Sequence, residues 1–325
     1  MGIVEYIISC DNKGQRIDII ASTLSGLSRS RIQNMLEDGD VTVNKLSSRS
    51  NYRLKDGDII SIAIPEHRAN PLLEPQNIPV EILYQDNAVA VVNKPPDLVV
   101  YPAAGHSRGT LMNAIAWHCP VLASVGAPLR PGVVHRLDKD TSGVMVVALD
   151  DLSYYDLVEQ FRQRTINRKY KALVFGTMKQ SSGEISLSIG RSDSDRKKMT
   201  TVTKSGKEAV TKWTVLQRFG IADLIEARLG TGRTHQIRVH FASIGHPVLG
   251  DRTYGKKTAI ETRSGKILFP RQMLHAELLG FIHPHTRQYM EFTCALPEDM
   301  SNAVNELRIH SASLQNPLSR SHIRM

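Results

Sequence analysis

The chain has 325 residues, of which 41% are hydrophobic and 22% are charged, a composition that excludes wholesale disorder. Its length leaves room for one sizeable core beside a smaller domain. Lys and Arg number 41 against 32 acidic residues, and the resulting net charge of +9 suits a polyanionic partner. No apolar run reaches the roughly 18 residues of a membrane-spanning helix, and the N-terminus lacks a signal-peptide pattern.

The three cysteines, Cys10, Cys119 and Cys294, lie far apart in the sequence. Their number and spacing predict neither a disulfide framework nor a zinc site, so we expect thiols in a reducing, cytoplasmic compartment. The sequence contains no Gly-rich phosphate-binding motif and no nucleophile elbow of the hydrolases. We therefore predict that the protein uses no nucleotide cofactor.

The N-terminal part predicts a small α/β module over residues 14–66. Apolar residues at helical spacing and alternating apolar residues indicate its elements. These are a helix over Arg16–Leu24, a helix that begins at Ser28 or Ser30 and ends at Gly39, and strands at Val41–Val43 and Ile60–Ile64. Arg29 and Arg31 lie at the start of the second helix, where backbone N–H groups favour phosphate. A solvated helix face explains these two arginines equally well.

A proline-rich segment follows the module and predicts a linker over residues 67–80. Prolines at 65, 71, 75 and 79 disfavour both helix and sheet interior. Beyond the linker we predict one larger domain over residues 81–300. The end of a terminal helix and a flexible polar tail are expected over residues 301–325.

The larger domain mixes strands and helices without a regular alternation. The predicted strands are Val80–Leu83, Ala88–Val92, Val144–Leu149, Tyr170–Phe175, Ala209–Leu216 and Ile221–Leu229, and the predicted helices run from the cap Thr110 to His118, along Tyr154–Phe161 and along Glu298–Leu307. The continuous apolar run Val144–Leu149 is typical of a strand buried on both faces. Because the last three strands follow one another without intervening helices, we expect an α+β fold with a mixed, largely antiparallel sheet flanked by helices.

The densest polar cluster is His135–Gly143, directly before the apolar strand. In an extended segment Arg136 and Asp138 point to one face and Leu137 to the other. A carboxylate beside a cation at the end of a strand can serve as a nucleophile or a base. A structural ion pair followed by a turn is the alternative interpretation.

The second polar cluster is Gly230–Phe241. Thr234 is expected to cap a helix whose apolar face is Ile237, Phe241 and Ile244. His235 and His240 are separated by about 140° around the axis of such a helix, whereas a metal pair needs the i, i+4 spacing. We therefore predict no metal site.

At these two clusters the sequence resembles the RluA/RluD family of RNA pseudouridine synthases. The resemblance runs from about Ile82 to Pro297, and residues 14–66 resemble the small RNA-binding module named after a ribosomal protein of the small subunit. The motifs that carry the main resemblance, in the family's order, are Val92–Pro95, Val134–Gly143, Arg168–Tyr170, Thr231–Arg238, His246–Asp251 and Leu274–Ala276. Tyr101-Pro102 departs from the His-Pro of many relatives, which affects the expected choice of substrate rather than the reaction.

The resemblance implies that Asp138 is the essential carboxylate, that Tyr170 stacks on the uracil and that Arg238 pairs with Asp138. It also implies that Arg136 enters the space left by a flipped uridine. The remaining predicted RNA-binding residues are Lys94, His135, Arg29, Arg31, Arg196, Lys197, Lys198 and Arg233. Three of these belong to the basic segment Arg191–Lys212, which a solvated charged loop also explains.

The implied activity is site-specific isomerisation of uridine to pseudouridine in structured RNA, with large-subunit ribosomal RNA as the expected substrate. It needs no cofactor, no metal, no membrane and no protein partner. The role of Asp138 stays open between attack on the sugar, attack on the base and abstraction of a sugar proton. The alternatives are a synthase that acts on transfer RNA, a non-catalytic RNA-binding protein and a metal-dependent nuclease.

Overall fold

A computed structural model describes residues 2–25, 29–64, 73–102, 108–126, 130–192, 195, 198–203, 205–262 and 265–315. The chain divides into two compact units, Met1–Pro71 and Leu72–Met325. No helix in the described part of the chain is long and apolar enough to cross a membrane.

Among its described residues, the first unit combines two α-helices with a four-stranded antiparallel sheet of order β1-β4-β2-β3. Its elements are β1 (Gly2–Ile7), α1 (Ile17–Ser25), α2 (Arg29–Asp38), β2 (Val41–Val43), β3 (Leu46–Ser47) and β4 (Ile59–Ile64). Apolar side chains at helical spacing, including Ile17 and Ile20 from α1, are buried against Ile60 and Ile62 of β4. Strand β1 precedes residue 14, where the predicted module began, and pairs with β4 along its whole length.

The second unit contains the other strands and helices. They are β5 (Glu81–Gln85), β6 (Val89–Lys94), α3 (Leu111–His118), β7 (Ser142–Ala148), α4 (Asp151–Gln163), β8 (Asn167–Phe175), β9 (Ser182–Ser186), β10 (Gly190–Arg191), β11 (Met199–Thr200), β12 (Val210–Arg218), β13 (Ala222–Leu229), α5 (Gln236–Ser243), β14 (Ala259–Thr262), β15 (Gly265–Leu268), β16 (Leu274–Ile282), β17 (Tyr289–Thr293) and α6 (Glu298–Gln315).

Nine of these strands form one sheet of order β5-β6-β7-β16-β8-β13-β12-β9, in which β17 also pairs with β16. The pair β7 and β16 is parallel, and the other neighbouring pairs of this sheet are antiparallel. Every residue of β7 is buried, as its continuous apolar sequence predicts. The predicted mixed, largely antiparallel sheet flanked by helices is therefore confirmed.

Two local predictions about helices are wrong. The start of α5 is not capped by Thr234: His235 occupies the cap position with φ 57°, and its side chain makes no capping hydrogen bond. The last helix does not end at Leu307 but continues to Gln315, although that stretch is polar. The predicted cap at Thr110 is confirmed, because its hydroxyl accepts the backbone N–H of Asn113.

Candidate active site

Asp138 lies in the segment between α3 and β7, and its carboxylate borders a cavity. The preceding residue, Leu137, is 5% exposed and belongs to the main core of the second unit. Arg136 is exposed, so the side chains alternate as in an extended segment. Burial of Leu137 therefore anchors the backbone that carries the carboxylate.

Two buried cations hold the backbone that follows Asp138. Lys94 Nζ donates to three carbonyl groups, one of which is that of Lys139 at 2.9 Å. Arg271 Nη1 donates to the carbonyl of Asp140 at 2.8 Å. Because buried polar groups cost free energy when unpaired, these bonds define one backbone path for this loop.

Arg238 joins the carboxylate to the rest of the site. Arg238 lies in the first turn of α5, and its Nη1 donates to Asp138 Oδ2 at 2.8 Å. Its Nε and Nη2 donate to the two oxygens of Asp251, at 2.7 and 3.0 Å. Asp251 is fully buried. The bidentate pair orients the guanidinium, and the remaining nitrogen holds Asp138.

The cavity beside Asp138 has a volume of about 300 Å³, within the usual range for small-molecule sites. Tyr170, near the centre of β8, contributes part of its wall and is 7% exposed. Burial raises the pKa of Tyr170, so its hydroxyl stays protonated at neutral pH. The structure thus brings together the three residues predicted to be catalytic, Asp138, Tyr170 and Arg238.

Arg168 also lines this cavity, two residues before Tyr170 on the same strand. Its Nε atom is buried and makes no hydrogen bond with any described residue. Its guanidinium lies 5.4 Å from the centre of the Phe161 ring, and burial lowers the pKa of Arg168. The guanidinium that lines the cavity therefore has one buried N–H without a partner among the described residues.

Arg136 is only two positions from Asp138 in the sequence, but its guanidinium bonds to a different residue. Its Nη1 donates to the Tyr101 hydroxyl at 2.6 Å, and its guanidinium lies 5.3 Å from that ring's centre. Although both side chains are described, Arg136 and Asp138 form no ion pair with each other. The cation bonded to the carboxylate is Arg238, as the family resemblance implies, and not the nearby Arg136, which lines the cavity.

Lys94 and His135, both predicted to bind RNA, are not exposed as surface cations. Lys94 is fully buried, its ammonium is bonded to carbonyl groups, and burial lowers the pKa of Lys94 to about 7. His135 lines the cavity, but its Nε2 accepts the backbone N–H of Val146 at 3.1 Å. Burial, reinforced by the charge of Arg168, lowers the pKa of His135 to about 3, so the ring is neutral.

The other predicted RNA-binding residues are distributed over both units. Arg233 lines the cavity, and its Nε donates to the carbonyl of Glu208 at 3.1 Å. Lys198 borders a second, larger cavity of about 1010 Å³ that also reaches Asp138. Arg29 in the first unit donates to Asp18. Arg196, Lys197 and the side chain of Arg31 lie outside the described residues.

Sequence reasoning missed three residues that organise the site. Asp251 and Arg168 lie in motifs of the family resemblance, but neither was assigned a role. Gln236 was missed as well: its side chain accepts hydrogen bonds from Arg233 N and Thr231 Oγ1, at 2.9 and 2.8 Å. These bonds shape the turn before α5. Motif membership was the available signal for all three.

Comparisons with known proteins place this chain in a family. Residues 88–243 match the family model described as RNA pseudouridylate synthase. A protein of Bacillus subtilis (strain 168), named "Uncharacterized RNA pseudouridine synthase YlyB", is 44% identical over 310 residues, which cover 95% of this chain and 99% of that protein. The "Ribosomal large subunit pseudouridine synthase D" of Zymomonas mobilis is 43% identical over 293 residues, covering 88% and 92%.

A solved structure agrees with these sequence matches. "Human RNA Pseudouridylate Synthase Domain Containing 4" superposes with a TM-score of 0.54 at 27% identity and covers 70% of this chain and 93% of that one. Fold and sequence together define an isomerase that acts on RNA. The chain belongs to the RNA pseudouridine synthase family.

Proposed function

We propose that this protein isomerises uridine to pseudouridine in large-subunit ribosomal RNA, with Asp138 as the catalytic carboxylate. The observation that carries the proposal is the position of Asp138 at the cavity that Tyr170 lines, held through one oxygen by Arg238. The choice of substrate is supported by relatives that are named ribosomal large subunit pseudouridine synthases, among them that of Zymomonas mobilis.

The target uridine would leave its stack and enter the cavity. Extrusion of a base costs a few kcal/mol, which stacking and inserted groups must offset. The ring of Tyr170 offers a stacking surface, and the guanidinium of Arg168 lines the same cavity. Arg136, exposed at the mouth, is placed to occupy the gap that the uridine leaves.

The reaction exchanges one glycosidic bond for another without any redox step. The bond between N1 and C1′ breaks, the uracil rotates, and a bond forms between C5 and C1′. C5 then loses its proton and N1 gains one. Asp138 supplies the carboxylate that this reaction needs. Tyr170 offers its ring to the uracil, and its protonated hydroxyl is not a base for the C5 proton.

RNA outside the cavity would contact positively charged surfaces. Lys198 and the neighbouring Arg196 and Lys197 are proposed to contact phosphates, and the first unit is proposed to bind RNA as a separate module. We place the protein in the cytoplasm, where its three free cysteines would remain reduced.

The test is a map of pseudouridine in unmodified large-subunit ribosomal RNA after incubation with the protein, read by carbodiimide treatment and primer extension. We expect new stops with the wild type and none with Asp138→Ala, which should retain RNA affinity. Stops on transfer RNA alone would replace the proposed substrate. Binding without product on either RNA would replace catalysis with a binding function, and chain cleavage that a chelator stops would indicate a nuclease.

A further inference from the structure

His235 faces the second oxygen of Asp138. Its Nε2 lies 3.7 Å from Asp138 Oδ1, whereas Arg238 holds the other oxygen, Oδ2, at 2.8 Å. A distance of 3.7 Å is too long for a hydrogen bond. Such contacts in enzymes are often long in the absence of substrate and shorten when it binds.

The other nitrogen of the His235 ring is bonded to Tyr254. His235 Nδ1 lies 2.7 Å from the Tyr254 hydroxyl, whose oxygen also accepts the backbone N–H of Met199 at 3.0 Å. A tyrosine hydroxyl has one proton to donate. Because Nε2 faces the Asp138 carboxylate, the ring proton is favoured on Nε2, and the Tyr254 hydroxyl then donates to Nδ1. A ring that accepts at Nδ1 carries its own proton on Nε2, the atom that faces Asp138.

The backbone of His235 is held in an unusual conformation. Its φ is 57° and its ψ 20°, in the left-handed region, although a residue that precedes a helix is usually extended. The adjacent Gln236 side chain fixes this turn through bonds to Thr231 and Arg233 on one side and to the strand residues Val210 and Thr211 on the other. Surroundings that over-determine a strained residue are typical of functional positions.

The ring of His235 is neutral at pH 7. Burial lowers the pKa of His235, and the opposing attraction of Asp138 does not reverse the shift. A neutral ring can donate a hydrogen bond to the carboxylate without adding a second positive charge beside that of Arg238.

We propose that His235 is a positioning residue for Asp138: its Nε2–H, oriented by Tyr254, donates to Asp138 Oδ1 when a base fills the cavity. The carboxylate is then held at both oxygens, by Arg238 and by His235, and its plane is fixed against the substrate. This inference rests on the proposed catalytic role of Asp138.

The test uses single-turnover release of tritium from the C5 position of uridine in unmodified large-subunit ribosomal RNA, with the full-length protein in excess. His235→Asn suits the left-handed backbone but is too short to place a donor at the Nε2 position. Tyr254→Phe removes only the hydroxyl. We expect the maximal rate to fall on the order of 100-fold for His235→Asn and about 10-fold for Tyr254→Phe.

Four further measurements decide between positioning and a purely structural role. RNA affinity should stay within about 3-fold of the wild type, because the loss lies in the chemical step. His235→Gln, which can restore a donor near Nε2, should recover part of the rate. Tyr84 on β5 donates its hydroxyl to Asp86, and Tyr84→Phe, which removes that hydroxyl, should react like the wild type. The melting temperature of Tyr254→Phe should change little.

Wild-type rates in both His235→Asn and Tyr254→Phe would overturn the inference, and so would a loss confined to affinity. If His235→Asn does not fold, Tyr254→Phe decides alone. A wild type without tritium release, on RNA that it binds, would instead contradict the proposed function.

Discussion

The two units of the chain contain the same short pattern, Arg, apolar residue, Asp, with opposite outcomes. In the first unit, Arg16 donates to both oxygens of Asp18 at 3.0 Å, and Ile17 between them is buried. In the second unit, Leu137 is buried in the same way, but Arg136 donates to Tyr101 and leaves Asp138 to a distant partner.

The two carboxylates differ in how many of their oxygens accept hydrogen bonds from the protein. Asp18 is fully buried and also accepts from Arg29 and Gln33, so both of its oxygens are used by the protein. Asp138 is 17% exposed, and only one of its oxygens accepts from Arg238. An Arg–Asp pair therefore stabilises a fold when it is saturated. It can serve chemistry when one oxygen remains open toward a cavity.

The strongest test of this contrast is Asp138→Asn. The amide keeps the shape of the side chain but cannot act as a carboxylate, so we expect turnover to fall on the order of 10⁴-fold. Because Arg238 keeps its bidentate bond to Asp251, stability should change little. Tritium release and thermal unfolding measure the two quantities. Turnover above a hundredth of the wild-type rate would show that the Asp138 carboxylate is not required.

Asp251→Asn tests the buried carboxylate that orients Arg238, the partner of Asp138. It weakens the buried pair that orients Arg238, which should cost about 3 kcal/mol of unfolding free energy and lower turnover roughly 100-fold through misplacement of Asp138. The matched control is Asp223→Asn. Asp223 is also fully buried and paired with Arg218, but it lies at the start of β13.

We expect Asp223→Asn to lose comparable stability and to retain turnover. If the two variants lose activity equally at a temperature where both are folded, then the loss follows from stability alone. Urea unfolding and single-turnover rates on the same preparations distinguish these outcomes.

Asp18→Asn tests the saturated pair of the first unit. Removing one partner of a fully buried pair should cost about 3 kcal/mol in that unit. The maximal rate on a short stem-loop at saturating concentration should remain that of the wild type, because the candidate catalytic residues all belong to the second unit. A proportional loss of that rate would contradict the division of roles.

The same pair predicts a pH dependence. Burial of Asp18 acts to raise its pKa, but hydrogen bonds from Arg16, Gln33 and Arg29 outweigh burial and lower the pKa of Asp18 to about 2. A carboxyl whose pKa is lower in the folded state stabilises the fold above its unfolded pKa, here 3.8, and this stabilisation is lost as the pH falls toward 2. The contribution is roughly 2 kcal/mol. Unfolding of the first unit followed from pH 5 to 2 should show this loss in the wild type and not in Asp18→Asn.

Local sequence patterns predicted most of the fold and the position of the site. Periodicity located the helices and the buried strand β7, and the two polar clusters do meet at one cavity. The side-chain contacts within the two clusters could not be derived in full, because Arg136 is two positions from Asp138 in the sequence and yet donates to Tyr101. The surroundings of Lys94 and His135 could not be predicted for a related reason: the identity of a charged or polar residue does not reveal its burial, which depends on the strands packed around it.

The smallest expected effect concerns the RNA surface beyond the cavity. Lys198 pairs with Asp195 at 3.6 Å, and both side chains are more than two-fifths exposed. An exposed pair of this kind contributes little to stability, so Lys198 can exchange Asp195 for a phosphate at small cost. We expect Lys198→Gln to weaken RNA binding about 3-fold and to reduce the slope of log affinity against log salt by about 1. Lys266→Gln, which removes a lysine paired with Glu261 in the hairpin of β14 and β15, is the matched control and should leave both quantities unchanged. An unchanged salt slope in Lys198→Gln would show that Lys198 does not contact RNA phosphates. An equal change in both variants would indicate a general effect of net charge.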